Sequence, residues 1–351
     1  MSAAVAPWLS ILVPVYNVQD YLEECLTSVV EQLPQLQQSP NGVAGVEILV
    51  LDDRSTDGSR ALMDQLAQRW PGRLTLMHHA VNQGLSAARN TMIDAARGEY
   101  LWFLDSDDRL QCGAIAALHR IVHVNGPDMV VCYFRLWRER MGFKHRLRGE
   151  GHRRSFAGPS RRLLIDQAAF MADLCMPGQM HAWSKISRRT LWHDGLRFPA
   201  GRYFEDMATV PRLALRAHSL WYEPAPWVDY RQRRSSILST LNLNKVADLS
   251  SALRVTRQEL DALPVLAQDA RVCIAMSHLS ARNFIGAMRW LDKQKQGELT
   301  DRRALAQRFL QDFLASAPLS PQALVKVYGR KGWWLRRARL QACLRQVDGW
   351  N

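Results

Sequence analysis

Apolar runs of strand length alternate with amphipathic segments over residues 8–104. Strands are predicted at 8–16, 46–51, 74–78 and 100–104, because short apolar runs bounded by polar residues are typical of strands buried in a sheet. The segments between these runs repeat apolar residues with the spacing of a helix that packs by one face. This alternation predicts an α/β fold with a mostly parallel, doubly wound sheet.

After the fourth predicted strand the pattern changes. One more strand is predicted at 129–134, and after about residue 242 the composition turns helical. The segments with the clearest helical periodicity are 249–260, 272–290 and 303–314. We therefore divide the chain into an α/β domain at 1–240 and a helical C-terminal extension at 241–351, which ends in a basic tail at 325–351.

Polar side chains follow three of the four predicted strands. Tyr16 and Asn17 follow the first strand, Asp52 and Asp53 follow the second, and the acidic run 105–108 follows the fourth. In open α/β sheets, ligands bind outside the carboxyl ends of the strands. We therefore expect these three groups to face one cleft.

Asp105 and Asp107 are the strongest local signal for a metal. Two carboxylates that lie two residues apart on a turn can face one hard cation. Mg²⁺ or Mn²⁺ prefers such oxygen ligands and keeps positions open for substrate phosphates. The alternative is a polar turn that caps the following helix.

Two further groups suit a nucleotide. Asp52 and Asp53 lie several residues before their helix, so capping does not account for them, and either carboxylate could accept a hydrogen bond from a uracil N–H or a ribose hydroxyl. Asn82 and Gly84 open the third helix, where a helix N-terminus and close backbone approach favour a nucleotide. A plain loop-to-helix transition is the alternative for this second group.

Two later segments could also take part in chemistry. Glu205 and Asp206 precede a predicted helix, and a carboxylate here could remove the proton from an acceptor hydroxyl; acids that stabilise the helix dipole are the alternative. Arg233 and Ser236 belong to a basic cluster with neighbouring hydroxyls, which could clamp a diphosphate. A solvated charge run is the alternative for that cluster.

Charge, cysteine spacing and apolar run lengths indicate the kind of partner and the cell compartment to expect. The 351 residues carry a formal net charge of +13, which predicts an anionic partner without choosing between nucleic acid, anionic lipid and phosphorylated substrates. The six cysteines include no C-x-x-C pair, which argues against a zinc site and a disulfide framework and fits a reducing cytoplasm. No secretory signal and no apolar run of about 18 residues is evident.

In combination and in this order, the motifs resemble the inverting nucleotide-sugar transferases of glycosyltransferase family two, which have the GT-A fold. The matching segments are SILVPVYN at 10–17, EILVLDDRSTDGS at 47–59, NQGLSAARN at 82–90, GEYLWFLDSDD at 98–108, FEDM at 204–207 and YRQRRSSI at 230–237. The first four are specific in combination, and the last two are weaker. Residues 41–45 depart from the family pattern by lengthening the stretch before the second strand.

The resemblance implies a cytoplasmic enzyme of surface-polysaccharide type. Its donor would be a nucleotide-sugar, a UDP-sugar foremost, its cofactor a divalent metal, Mn²⁺ or Mg²⁺, and its acceptor a hydroxyl of a glycan or of a lipid-linked substrate. Transfer would invert the linkage.

The resemblance also implies a role for each matching residue. The residues assigned to the nucleotide-sugar are Pro14, Tyr16 and Asn17 at the base and ribose, Asp52 or Asp53 at the uracil, Asn82 and Gly84 in the loop beside the base, Asp105 at the ribose or the metal, Ser106 next to it, and Arg233 and Ser236 in a loop on the diphosphate side. Asp107 would be the main metal ligand, with Asp105 as the second. Asp206 matches the general base of the family, with Glu205 beside it.

The basic tail lies beyond the resemblance, which stops near residue 240. Residues 325–351 hold seven basic residues and one acid, with Trp333, Trp334 and Leu335 among them. Trp, Leu and Arg together suit a membrane interface that bears anionic lipid, here the inner face of the membrane. The alternative is a helix that packs on the catalytic domain and leaves a solvated basic face.

Three other functions are alternatives to a glycosyltransferase. A nucleic-acid-binding protein would leave the acids at the strand ends unexplained, because carboxylates repel a phosphate backbone, so we expect no nucleic-acid partner. A non-catalytic relative that binds nucleotide-sugar is disfavoured by the presence of Asp105, Asp107 and Asp206. A nucleotidyltransferase would need a glycine-rich basic loop after the first strand, and PVYNVQD at 14–20 supplies none.

Overall fold

The protein, described here by a computed structural model, is built on one mixed sheet of ten strands within the described part of the chain. The described residues are 6–33, 45–138, 152–232, 241–294 and 301–349. The strands are β1 Leu9–Val15, β2 Val46–Asp52, β3 Leu74–His78, β4 Tyr100–Phe103, β5 Arg109–Leu110, β6 Met129–Trp137, β7 His152–Arg153, β8 Leu163–Leu164, β9 Lys185–Arg188 and β10 Leu220–Arg231.

Helices cover the sheet and continue into the C-terminal part of the chain. They are α1 Leu22–Val30, α2 Ser59–Arg69, α3 Leu85–Ala95, α4 Ala114–Asn125, α5 Gln167–Cys175, α6 Glu205–Arg216, α7 Leu243–Ser251, α8 Arg254–Asp261, α9 Pro264–Ala267, α10 Ala270–Lys293, α11 Arg302–Ser316, α12 Pro321–Arg330 and α13 Trp334–Gly349. The α/β prediction and the helical C-terminal region are confirmed. The single helix expected at 249–260 is wrong in detail, because the chain breaks into α7 and α8 there.

The strand order places the carboxyl ends of the first four strands at one edge. β3, β2, β1 and β4 lie side by side and are all parallel. β9 then pairs antiparallel with both β4 and β6, and β10 runs parallel to β6. The loops after β1, β2 and β4 therefore meet at the same rim of the sheet, as the sequence predicts.

The most apolar strand occupies the centre of the parallel half. All seven residues of β1 are buried, and it pairs with β2 on one side and β4 on the other. Its side chains alternate between two apolar cores, with Leu12 in one and Ile11 and Val13 in the other. A strand with a core on each face has no solvent side to receive polar residues, which explains why β1 is apolar except for Ser10.

Helix α10 belongs to two cores. Val272 and Met276 in its first half are fully buried in the core that also holds α5 and one face of the sheet. Phe284 and Met288 in its second half lie in a third core with Phe309 of α11. The division of the chain near residue 240 stays a prediction, and α10 physically joins the extension to the α/β part.

The basic tail forms a packed helical pair. Leu324 and Tyr328 of α12 and Leu340 of α13 are buried in the third core. Trp334 and Leu335, by contrast, are 62% and 73% exposed. The tail thus packs on other helices of the extension while it presents large apolar side chains to solvent. Within the described ranges, no helix has both the length and the apolar composition that crossing a bilayer requires.

Gly98 holds the turn between α3 and β4 against the central strand. Its N–H donates to Ser10 Oγ at 2.8 Å. A Cβ atom placed on Gly98 would lie 2.5 Å from the backbone nitrogen of Ser10, which no real Cβ contact allows. Close approach of two backbones therefore requires glycine at this position.

We predict that Gly98→Ala destabilises the protein by about 1–3 kcal/mol, because the added methyl group overpacks against a strand that cannot shift. Urea unfolding followed by circular dichroism measures this. Gly45→Ala is the matched control, since a Cβ at Gly45 meets nothing within 4 Å. Equal stability of the two variants would contradict the packing role of Gly98.

Candidate active site

The loops after β1 and β2 are fastened to each other at the rim of the sheet. Asn17, whose φ of 52° is left-handed, accepts a hydrogen bond through Oδ1 from the backbone N–H of Thr56 at 2.8 Å and donates its own N–H to Ser55 Oγ at 3.1 Å. Beside it, the ring of Tyr16 is 48% exposed, whereas Pro14 is buried within β1. The ring of Tyr16 thus faces solvent at the rim, whereas Asn17 fixes the two loops to each other.

Asp53 fixes the loop that precedes α3. Its buried carboxylate accepts hydrogen bonds from the backbone N–H groups of Gln83 at 2.9 Å and Gly84 at 2.7 Å, and it lies 2.6 Å from His79 Nδ1. The backbone carbonyl of Asp53 accepts from Asn82 Nδ2 at 3.0 Å. The loop 82–84, which is expected beside the nucleotide base, is therefore in direct contact with Asp53. A contact between Asp53 and uracil stays a prediction.

His79 is a supporting residue that sequence reasoning missed. Its side chain is 7% exposed and joins Asp53 to Thr91 Oγ1 of α3, which lies 3.0 Å from Nε2. A single histidine after a strand carries no spacing signal, so only the fold reveals this bridge. Asp52, the other candidate for the uracil contact, is also buried, and its Oδ1 accepts from the backbone N–H of Ser55 at 3.0 Å.

Arg89 gathers three of the predicted acids into one site. Its side chain is 1% exposed, and Nη1 donates to Glu205 Oε1 at 2.9 Å and to Asp206 Oδ1 at 2.7 Å. Nη2 donates to Asp105 Oδ1 at 2.8 Å. The guanidinium carbon lies 5.1 Å from the ring centre of Phe198. Acids about 100 residues apart in the sequence thus share one buried cation, which the sequence analysis did not predict.

Local backbone geometry aims the acids at Arg89. Phe204 adopts a left-handed φ of 57° just before α6, a conformation that costs energy for a bulky residue. Glu205 and Asp206 then form the first turn of α6. Asp206 is further held by the backbone N–H of Ala182, which donates to Oδ2 at 3.0 Å. Asp206 keeps 18% of its side chain exposed, so it is anchored and still reaches solvent.

Burial and charge act against each other in this cluster. Burial by itself would lower the pKa of Arg89, but the carboxylates of Asp206, Asp105 and Glu205 raise that pKa above its usual value. Burial also raises the pKa of Glu205, the charge of Asp206 raises it further, and Arg89 opposes both. One cation facing three acids leaves the cluster with a surplus of negative charge, which suits a site that receives a proton or a cation.

The acidic loop after β4 is held from the other side by Arg231. The Arg231 backbone N–H donates to Asp108 Oδ1 at 2.8 Å, and its side-chain Nε donates to the backbone carbonyl of Asp107 at 2.8 Å. Ser106 is buried, whereas the side chain of Asp105 is 26% exposed. The loop therefore turns Asp105 and Asp107 toward the rim while Ser106 packs inside.

Two arginines lie against one tryptophan ring beside this loop, and no sequence motif predicts this contact. The guanidinium carbons of Arg109 and Arg231 lie 3.9 and 3.8 Å from the ring centre of Trp137. Both arginines also pair with Glu24, at 2.7 Å each. Arg233 and Ser236, the residues expected on the diphosphate side, lie outside the described residues.

Lys185 is a second buried cation near the acids. Its ammonium group donates to Ser184 Oγ at 2.7 Å and to the carbonyl of Gln179. Burial lowers the pKa of Lys185 to about 7, and the charge of Asp206 acts in the opposite direction. No motif in the sequence marks this lysine, because its proximity to Asp206 depends on how β9 is placed between β4 and β6.

The donor set at Asp105 and Asp107 fits a divalent metal. Within the described ranges, no group of three or more His, Cys, Asp or Glu side chains could enclose a metal ion. Mg²⁺ that binds with a nucleotide needs only one or two protein carboxylates, because substrate phosphates supply further ligands. Asp105 Oδ1 is engaged by Arg89, which favours Asp107 as the main ligand. The metal role of both acids stays a prediction.

Comparisons with known proteins bear on the family and the fold of this chain. The family model of glycosyl transferase family 2 matches residues 10–180. The uncharacterized glycosyltransferase EpsJ of Bacillus subtilis is 37% identical over 128 residues, which are 36% of this chain and 34% of EpsJ. Glycosyltransferase GlyA of Streptococcus pneumoniae is 27% identical over 236 residues, which are 65% of this chain and 31% of GlyA. The chain therefore spans about a third of the length of these two relatives.

A solved structure matches nearly the whole fold. The crystal structure of S. aureus TarS 1-349 in complex with UDP-GlcNAc superposes with a TM-score of 0.70 at 19% sequence identity, over 96% of this chain and 91% of that chain. This likeness confirms the predicted GT-A fold. The family model spans Asn17, Asp53, Arg89 and Asp105, so residues 10–180 of this chain form a glycosyl transferase family 2 domain.

Proposed function

We propose that this protein transfers a sugar from a nucleotide-sugar, a UDP-sugar, to a hydroxyl of a glycan or lipid-linked acceptor during surface-polysaccharide biosynthesis. The observation that carries the proposal is the shared contact of Asp105 and Asp206 with the buried Arg89. This contact supports the proposal, because the acid expected beside the donor and the acid expected beside the acceptor bind the same guanidinium group.

The donor side is the rim formed by the loops after β1, β2 and β4. The exposed ring of Tyr16 supplies a surface for a base, and the loop 82–84 that Asp53 fixes borders it. The TarS structure of the same fold was solved with UDP-GlcNAc, which supports UDP as the nucleotide here. Asp107, with Asp105, would hold Mn²⁺ or Mg²⁺. When bound, such a cation neutralises charge on the departing diphosphate.

The acceptor side is the start of α6. Asp206 takes the proton from the acceptor hydroxyl as its oxygen bonds to the anomeric carbon, and the bond from that carbon to the diphosphate oxygen breaks on the opposite face. A single displacement of this kind inverts the linkage. Arg89 and the N–H of Ala182 hold the carboxylate of Asp206 in place, so little reorganisation is needed during the reaction.

The proposed place of action is the cytoplasmic face of the membrane. The tail supplies the supporting features: seven basic residues at 325–351 and the exposed side chains of Trp334 and Leu335. A peripheral position would bring the active site close to a lipid-linked acceptor.

One prediction from this proposal concerns the general base. We expect Asp206→Asn to lower kcat on the order of 10²–10⁴-fold, the usual contribution of a general base, while UDP binding changes little. Radiolabelled sugar transfer and calorimetric UDP titration measure the two effects. Glu259→Gln is the control, because Glu259 also pairs with an arginine, Arg212 at 2.6 Å, but outside the site.

Two results would count against this part of the proposal. Transfer by Asp206→Asn at near wild-type rate would place the base elsewhere. Donor binding by the wild-type chain without any turnover, over a panel of glycan and lipid-linked acceptors, would identify a non-catalytic relative.

Another prediction from this proposal concerns the donor and the metal. We expect a matching UDP-sugar with Mn²⁺ to raise the melting temperature, since a ligand at 100 times its Kd stabilises by about 2.7 kcal/mol. Asp107→Asn should remove the metal-dependent part of this shift. A screen of UDP- and GDP-sugars, each with Mn²⁺ and with chelator, measures it. A shift that is equal with chelator, or equal in Asp107→Asn, would argue against the metal role.

A further inference from the structure

A basic pocket of about 470 Å³ lies between helices of the C-terminal extension and residues 176–177, which follow α5, and it shares no lining residue with the candidate active site. Four arginines line it: Arg282 and Arg289 of α10, and Arg336 and Arg339 of α13. The buried side chains of His278 and Tyr328 also line it. Two helices that are distant in the sequence thus direct their arginines into one concavity.

The pocket lacks a negative counterpart. Its described lining contains no Asp or Glu, and within the described ranges none of the four arginines has a carboxylate within ion-pair distance. Elsewhere in this molecule arginines are commonly paired, as Arg212 is with Glu259 at 2.6 Å. Four guanidinium groups around one cavity without an acid repel one another, and an anion would relieve that repulsion.

Two of the four guanidinium groups are held in place. Arg282 Nη1 donates to the backbone carbonyl of Pro177 at 2.5 Å, and the guanidinium carbon of Arg336 lies 4.3 Å from the ring centre of Trp333. Gly286 contributes wall without a side chain. Donors that are fixed before binding lose little entropy on binding, which favours recognition of a compact, multiply charged group.

Burial lowers the pKa of His278 to about 3, and the charges of Arg336 and Arg282 act in the same direction. The imidazole is therefore neutral near pH 7, with Nδ1 in a 2.8 Å hydrogen bond to the Tyr328 hydroxyl. The positive charge of the pocket comes from arginines alone, which stay protonated throughout the physiological range.

We propose that this pocket binds the phosphate group of an anionic lipid headgroup. Trp334 and Leu335, which are exposed on α13 immediately before Arg336, favour a lipid as the carrier of this phosphate group. Exposed apolar side chains on the helix that carries two of the pocket arginines suit a ligand whose headgroup enters the pocket while its acyl chains stay in the bilayer. This inference rests on the membrane-facing part of the proposed function and adds a defined binding site to it.

The test uses the full chain and two double variants that remove equal charge. Arg289→Gln with Arg339→Gln removes two pocket arginines, whereas Arg330→Gln with Arg345→Gln removes two exposed tail arginines that do not line the pocket. Flotation with equimolar phosphatidylglycerol–phosphatidylcholine vesicles measures binding. Vesicles of phosphatidylcholine alone give the background, and circular dichroism melting checks the fold.

We expect the pocket variant to bind the anionic vesicles on the order of tenfold more weakly than the tail variant, because both variants lose the same diffuse attraction to the anionic surface and only the pocket variant also loses the contacts to the bound phosphate. Equal losses in both variants would overturn the pocket and leave a diffuse basic surface. Absence of wild-type binding would overturn membrane association and this inference together, while the transfer assay would still test the glycosyltransferase proposal.

A second arm separates lipid from a soluble anion. Inorganic pyrophosphate at millimolar concentration is added in a thermal-shift experiment with the wild type and the pocket variant. If pyrophosphate stabilises only the wild type while both proteins bind vesicles equally, the pocket serves a soluble phosphate and the lipid assignment is wrong. Loss of both responses in the pocket variant supports the lipid phosphate.

Discussion

The candidate site depends on the burial of one guanidinium group. A buried guanidinium group is costly unless carboxylates pair with it, and the same pairing lowers the cost of burying those carboxylates. Arg89 meets this condition with acids from the loop after β4 and from the first turn of α6. The same contacts join the parallel half of the sheet to the segment that follows β9. The contacts that assemble the site therefore also hold the second half of the α/β part against the parallel half of the sheet.

Much of the parallel half could be predicted from the sequence because its signals are local. The apolar run at β1 reflects burial on both faces, and the polar residues after β1, β2 and β4 mark the rim. The pairing partners of those polar residues were not predictable in the same way. Asp53 resembled a ligand-binding acid, yet its carboxylate accepts hydrogen bonds from the backbone of Gln83 and Gly84. Such contacts depend on loop geometry, which periodicity does not encode.

The second half of the α/β part escaped detailed prediction for a related reason. Strand β9 has four residues and pairs antiparallel between β4 and β6, so neither its length nor its composition distinguishes it from a loop. Lys185 lies on this strand, and its closeness to Asp206 is visible only after β9 is placed. In the tail, the sequence showed the mixture of Trp, Leu and Arg, but the concavity formed by Arg282 and Arg336 depends on the packing of α13 against α10.

Helix α10 has 24 residues, so it is about 36 Å long. Its ends lie in different cores, and neither end can tilt without opening the apolar contacts of the other. Helix α10 is therefore a rigid connection between the sheet and the tail. If the tail rests on a flat surface, this helix sets the height and angle of the rim of the sheet above that surface. It thereby sets how far from the surface an acceptor hydroxyl must extend to reach Asp206.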